Sequence, residues 1–267
     1  MSKGDRLMKV MLLAAGLGTR LKPITDKIPK PLIPVNGIPL IFYNLALLKK
    51  HGVQDVVINL HYMGDKIKKI LGDGSSFGFK FRYSVEPKIL GTGGGIKRAE
   101  SFLDDGSFVV MNSDIIVDIN LKAFFKWHRS KRNGVSLAVV ESDKAFELGV
   151  LQVEKEGRVL SILGQPMVCE SGVANTFFTG VHVLSPSFIK NYKRRGKTCI
   201  VRDGYIPYLE AGGKIGAYLY QGYWNDLGTV ERLKKTEQDL KNKKIVLSYF
   251  KELTWIKNQL DDVSKSL

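Results

Sequence analysis

Two short apolar runs joined through a helical segment constrain this chain most. VMLLA (10–14) and DVVINL (55–60) lack alternation and are bounded by punctuating residues, the signature of strands buried on both faces. Between them, IPLIFYNLALLKKHG sets Leu40, Asn44, Leu45, Leu47 and Leu48 at helical spacing, with Pro39 at a first-turn position and Gly52 past the end. The alternation continues as a helix around 64–71, a strand over 79–85, a helix over 94–103, a strand over 107–111 and a helix around 120–131. Strands alternating with helices at this spacing predict an α/β fold, a Rossmann-like, mostly parallel mixed sheet with helices on both faces. From about 135 to 220, strand-like runs crowd together (VSLAVV, LGVLQV, FFTGVHVL) and predict an extension of the sheet with a lid-like subregion. From Thr229 the pattern turns helical and lysine-rich. The organisation expected is therefore a main domain over 8–230 and a C-terminal helical extension over 231–267, whose Leu253, Ile256 and Leu260 stripe suits packing or a homo-oligomer contact better than a membrane surface.

Composition excludes more than it selects. The chain has 267 residues, 44% of them hydrophobic, without the long uninterrupted apolar stretch of a membrane span. MSKGDRLMKV lacks the apolar middle of a secretion signal, and Cys169 and Cys199 read as free thiols, so a cytoplasmic protein is expected. The 41 basic against 26 acidic residues, a net charge of +15, would suit nucleic acid, an anionic membrane surface or a phosphorylated small molecule. Aromatic residues lie mainly in apolar runs rather than along a basic groove, which argues against nucleic acid.

The stretch LAAGLGTRLKPITDKIPKP (13–31) follows the first strand, where open parallel sheets bind ligands. Gly16 and Gly18 let backbone N–H groups approach an anion closely. Two familiar phosphate loops fail here. GxGxxG requires glycine where Leu21 stands, and the P-loop requires lysine where Thr19 follows Gly18. What remains is GxGTR with Arg20, then Lys30 between Pro29 and Pro31; the prolines predict an extended backbone presenting the Lys30 ammonium to the same polyphosphate. FVVMNSD puts Asp114 past another strand end, and GYWNDLGT puts Asp226 before a glycine turn. Carboxylates beside a phosphate pocket are reconciled by a hard cation, Mg²⁺, held between them and the phosphates. Asp104, Asp105 and Asp118 sit in turns, where solvated or capping roles are expected. VEPKILGTGGGIKRAE opens a helix with glycines, so its backbone could approach a flat base.

In combination, LAAGLGTRLKPITDKIPKPLIPV, NSD, LGTGGGIK, FTGVHVL and GYWNDLGT resemble the sugar-1-phosphate nucleotidyltransferases over about residues 8–235. The resemblance implies transfer of a nucleoside monophosphate from an NTP to a sugar 1-phosphate, with pyrophosphate leaving. It implies that Arg20 steadies the pyrophosphate, Lys30 the reacting phosphates, and Asp114 and Asp226 the Mg²⁺. Nucleotide contacts are implied for Ala14, Ala15, Gly16, Gly18 and Thr19, and for Gly91, Thr92, Gly94 and Asn112. Glu86, five positions before Gly91, is implied to read the base; a carboxylate accepts from two guanine N–H groups, which favours GTP, whereas similar members with glutamate there resemble uridylyltransferases for an amino-sugar phosphate. A cytidylyltransferase for an alcohol phosphate is a further alternative, and a catalytically silent homologue would not need all four charged side chains. The subregion is implied to bind the sugar through Gly149 and Gly180. Where many relatives carry Glu-Lys-Pro this chain has Gly164-Gln165-Pro166, so Asn175 and Arg202 stand as replacements for the sugar-phosphate contact. The roughly 35 residues after the catalytic part lack hexapeptide periodicity, and acetyl transfer is not expected.

Overall fold

The computed structural model describes residues 8–142, 145–167 and 174–266. The chain divides into two compact units, one comprising residues up to Lys88, Asn112–Asn120 and residues from Gly222 on, the other Ile89–Met111 and Leu121–Gln221.

In the first unit the predicted strand, helix, strand order holds. Val10–Leu13 pairs in parallel with Asp55–Leu60, in the register Val10 to Val56, and Asp55–Leu60 with Lys80–Val85, in the register Val56 to Phe81. The helices Leu40–Lys50 and Gly64–Leu71 supply the crossovers that parallel pairing demands. Leu40 through Leu48 are all buried, so this helix needs a cover on the side away from the sheet. The C-terminal helix Phe250–Ser266 provides it, burying Leu253 and Ile256 and setting the Trp255 ring 3.7 Å below the Lys49 ammonium. The apolar stripe of the tail thus serves packing, and the tail clusters with the first unit. A short antiparallel pair, Ile115–Val117 with Trp224–Asp226, completes the unit and sets Asp226 opposite Ile115.

The second unit is organised on the long strand Ala174–Leu184. It pairs antiparallel with Val150–Val153 through its first half, with Phe108–Asn112 through its second, and with Val135–Glu141 along most of its length. Val135–Glu141 pairs in parallel with Ile215–Leu219. The register shifts between Phe178 and His182, and Gly180 takes φ +84 inside that bulge, a backbone state costly for any other residue. The mixed α/β class is as expected, with the parallel pairs concentrated in the first unit. The predicted helix over 94–103 is instead Gly91–Arg98 followed by a 3₁₀ turn at Glu100–Phe102. Cys199 is a free thiol, whereas Cys169 falls outside the described residues. Among the described residues no helix is long and apolar enough to cross a membrane.

Two buried histidines make this unit acid-sensitive. His182 faces the Tyr205 hydroxyl through Nδ1, and His128 lies between the Ser136 and Ser107 hydroxyls at 2.8 and 3.3 Å. Burial pushes their pKa values down, to about 3 for His182 and about 4 for His128. Each therefore stays neutral when folded at a pH where the unfolded chain, titrating near 6.5, binds a proton. Their contribution is complete above about pH 6.5 and is lost as pH falls towards 4, at about 1.4 kcal/mol per pH unit per group. Urea melts at pH 7 and 5.5 are expected to show that loss, and His128→Gln should recover about 1 kcal/mol of it; an unchanged pH slope in the variant would contradict the assignment.

Candidate active site

All the charged residues of the predicted phosphate and metal site lie in the first unit. The chain leaves the strand Val10–Leu13 at buried Ala14 and Ala15 and becomes exposed at Gly16. The Ala14 N–H donates to Asn59 Oδ1 at 2.8 Å. The next five amides, Ala15 to Thr19, donate to nothing within the described residues. Consecutive unclaimed N–H groups after a strand end form an anion-binding concavity. Gly18 closes it with φ +64; a Cβ there would stand 2.8 Å from Thr25 Cγ2 and 3.2 Å from Lys30 Cβ, so the missing side chain is what brings Lys30 against the loop. Thr25 Oγ1 donates to the Gly18 carbonyl at 3.0 Å, and Tyr62 Oη to the Thr25 carbonyl at 3.0 Å, bracing the turn. Arg20 follows on the exposed 3₁₀ turn Thr19–Leu21.

Lys30 differs locally from expectation. Pro29 is extended, but Lys30 itself begins the 3₁₀ turn Lys30–Leu32. Such a turn needs only the Ile33 N–H to reach the Lys30 carbonyl, at 3.1 Å, so the N–H that Pro31 lacks is not missed. Lys30 is 8% exposed, and its ammonium pairs with Asp114 Oδ2.

Asp114 sits in the turn after the strand Phe108–Asn112, as predicted. Three polar ties fix that turn. Ser113 donates from N–H and Oγ to the Leu13 carbonyl at 3.2 and 2.7 Å, and Asn44 Nδ2 lies 3.3 Å from the carbonyls of both Ser113 and Ile115. The Leu227 N–H donates to the Asp114 carbonyl at 2.9 Å. That last bond brings the GYWNDLGT segment alongside Asp114. Asp118, by contrast, accepts from the N–H and Oγ of Ser248, a tie across 130 residues of chain rather than the local turn role expected of it.

Asp226 Oδ2 stands 3.6 Å from Arg232 Nη1, while its Oδ1 is buried with no hydrogen-bond partner. A Cβ built on Gly228 would lie 2.5 Å from that oxygen and 2.5 Å from Arg20 Nη2. Only glycine lets the Arg20 guanidinium and the Asp226 carboxylate flank this point. An orphaned buried carboxylate oxygen is costly unless a cation completes it. No set of three or more His, Cys, Asp or Glu side chains converges among the described residues. Asp114 and Asp226 alone would suit a cation such as Mg²⁺, which takes few protein oxygens and fills its octahedron with phosphate and water.

Glu86 is 2% exposed and forms part of a buried relay. Its Oε1 accepts from Asn59 Nδ2 at 2.7 Å, and the same Asn59 holds the Ala14 amide. His61 Nδ1 lies 2.8 Å from the Glu86 carbonyl. The relay ties together the carboxyl ends of three parallel strands. Asn44 and Asn59 were not singled out for this work by sequence, although each is a lone amide in an apolar run, where a buried amide must find partners.

The remaining predicted residues lie in the second unit, apart from Asn112, which ends the strand Phe108–Asn112 at the boundary. Gly91 (φ +67) and Gly94 open the helix Gly91–Arg98, and their bare faces are turned to the chain itself: a Cβ on Gly91 would meet the Thr198 carbonyl at 2.5 Å, and one on Gly94 the Gly196 carbonyl. Thr92 Oγ1 accepts from the Ile200 N–H at 2.9 Å. Gly149 has φ +101, Asn175 lies in the strand Ala174–Leu184, and Arg202 is exposed in the π-helical segment Val201–Tyr205. Gly164 and Gln165 form the turn after the strand Val159–Ile162.

The first unit thus gathers a glycine loop with unclaimed amides, the cations Arg20 and Lys30, and the carboxylates Asp114 and Asp226. Residues 9–243 match the nucleotidyl transferase family, and the chain belongs to it. It is 35% identical over 235 residues to N-acetylmuramate alpha-1-phosphate uridylyltransferase of Neisseria meningitidis, covering 86% of this chain and 97% of that one. It is 30% identical over 231 residues to mannose-1-phosphate guanylyltransferase of Mycobacterium tuberculosis, covering 86% and 64%. The crystal structure of HddC from Yersinia pseudotuberculosis complexed with GMP-PN superposes with a TM-score of 0.73 at 27% identity, covering 88% of this chain and all of that one. The chain spans 61% of the length of further curated relatives.

Proposed function

We propose that this protein transfers a nucleoside monophosphate from an NTP to a sugar 1-phosphate. A phosphate oxygen of the sugar 1-phosphate attacks the α-phosphorus in line, the bond from that phosphorus to the bridging oxygen breaks, and pyrophosphate leaves. One observation carries the reading: the five unclaimed amides of Ala15–Thr19, the cations Arg20 and Lys30, and the carboxylates Asp114 and Asp226 gather in one compact unit. Little covalent work falls to the protein in such a transfer, so positioning and charge neutralisation are what its residues must supply. The amides and Arg20 would hold the β- and γ-phosphates, and Lys30 would shift from Asp114 towards the reacting phosphate. Asp114 and Asp226 would hold Mg²⁺, which supplies neutralisation of charge on the phosphate oxygens when bound. The sugar-side roles of Gly149, Asn175, Gly180 and Arg202, and the base-side roles of Gly91, Thr92, Gly94 and Asn112, rest on the family resemblance alone.

GTP is favoured if the Glu86 carboxylate accepts from both guanine N–H groups. The bond from Asn59 to Glu86 Oε1 favours a second reading, UTP, because uracil has a single N–H to satisfy. A pyrophosphate-release screen of four nucleoside triphosphates against a panel of sugar 1-phosphates tests the activity, and silence with every pair would discard it. Glu86→Gln separates the bases. A guanine donor left unpaired costs about 1–3 kcal/mol, roughly ten- to hundredfold in kcat/KM, whereas a glutamine carbonyl still accepts the uracil N–H.

A further inference from the structure

On the first unit a cavity of about 570 Å³, lined by no residue of the phosphate loop, opens between the hairpin at Asn36–Ile38, Tyr43 and the two C-terminal helices. Its wall is apolar, from Ile38, Leu240, Ile245, Leu247 and Leu253, and at its mouth Val246 and Phe250 are 81% and 65% exposed. Its rim is basic. Lys241, Lys243 and Lys257 line it, and none has a carboxylate within ion-pair distance among the described residues. Of the acids nearby in sequence, Asp239 faces Lys244 at 3.9 Å, while Glu237 accepts the Asn36 N–H at 3.0 Å and lies near enough to Tyr43 to act on its hydroxyl, so a single carboxylate borders the cavity beside the three lysines.

We propose that this cavity binds a small amphiphilic anion, a single apolar chain or ring body ended by one phosphate, sulfate or carboxylate. The volume is that of a small-molecule site, predominantly apolar with a few polar groups that fix orientation. Exposed Phe250 and Val246 would be covered by the apolar body, while the three ammonium groups receive the charged end. A second copy of the chain fits less well, because a two-fold interface would set one lysine rim against the other. The cavity shares no lining residue with the phosphate loop, and the proposal does not depend on which reaction that loop performs.

The test titrates octyl phosphate, below its micelle concentration, into the full chain by isothermal calorimetry at low salt, with uncharged octyl glucoside as control. Saturable one-to-one binding is expected for octyl phosphate, at least about tenfold tighter than for octyl glucoside and weakening as salt is raised. The double variant Lys243→Glu/Lys257→Glu, altered only at exposed side chains, should lose about tenfold or more in affinity and keep its pyrophosphate-release rate. Equal affinity for the uncharged glucoside, or an unchanged affinity in the double variant, would overturn the proposal. So would a concentration-dependent dimer abolished by Phe250→Glu, which gives the groove to a second copy, or binding confined to anionic vesicles.

Discussion

Asp226→Asn is expected to lower Mg²⁺-dependent pyrophosphate release at least about a hundredfold while the melting temperature stays level or rises. The two halves of this expectation come from one atom. Asp226 Oδ1 is buried and without a hydrogen-bond partner, so in the free protein its desolvation is offset only by cations that do not bond it, the Arg20 guanidinium beside Gly228 among them. Replacing the carboxylate by an amide of the same shape relieves the buried charge. It also forfeits a pair with Arg232 that, at 3.6 Å and with both side chains more than a quarter exposed, contributes at most about 1 kcal/mol. The same change removes half of the negative charge available to a divalent cation, and a metal contact of this kind carries several kcal/mol of transition-state stabilisation. Asp114→Asn should cost a comparable factor in rate but behave differently in a melt, since it leaves the 8% exposed Lys30 without its partner. Rates within tenfold of wild type in both variants would remove these carboxylates from the site.

What could be read from sequence was what is encoded locally. The glycine loop announces itself by its two spaced glycines, the second of which takes φ +64 with no room for a Cβ, and Asp114 because it follows the end of an apolar strand. The order of strands and helices in the first unit followed from the periodicity of runs such as DVVINL. The parts that were not legible depend on partners distant in sequence. Asn59 joins a backbone amide 45 residues away to a carboxylate 27 residues away, and Asn44 reaches carbonyls 69 and 71 residues on. In sequence both are merely interruptions of apolar runs. Gly228 reads as a turn residue, and its role in letting Arg20 and Asp226 approach one point appears only when the strand pair ending at Asp226 is formed. The glycines of LGTGGGIK were legible as a close approach, but not what approaches them: the chain segment Gly196–Thr198 meets the bare faces of Gly91 and Gly94. The mainly antiparallel pairing of the second unit likewise turns on the bulge at Gly180, where one strand changes register against its neighbour.

Lys30→Ala is expected to move two readouts in opposite directions. The ammonium is held on the Asp114 carboxylate with its stem packed against Gly18, and on the proposed reading it swings from that carboxylate to the reacting phosphate. Loss of one such charge contact costs about 3 kcal/mol in the transition state, roughly a hundredfold or more in kcat. Yet the ammonium is also the partner of Asp114 Oδ2, and on the proposed reading a divalent cation would compete with it there. Without Lys30, Asp114 becomes a freer ligand, and half-saturation by Mg²⁺ should fall to a lower concentration even as turnover collapses. A residue that served only the fold would lower turnover and metal affinity together. Lys30→Arg separates charge from shape: it keeps the positive charge but cannot fit a planar guanidinium into a space shaped for a straight chain, and should restore part of the Mg²⁺ dependence without restoring kcat. Titrating Mg²⁺ against pyrophosphate release in wild type and both variants decides the matter. A raised or unchanged half-saturation in Lys30→Ala would show that Lys30 and the metal do not share Asp114.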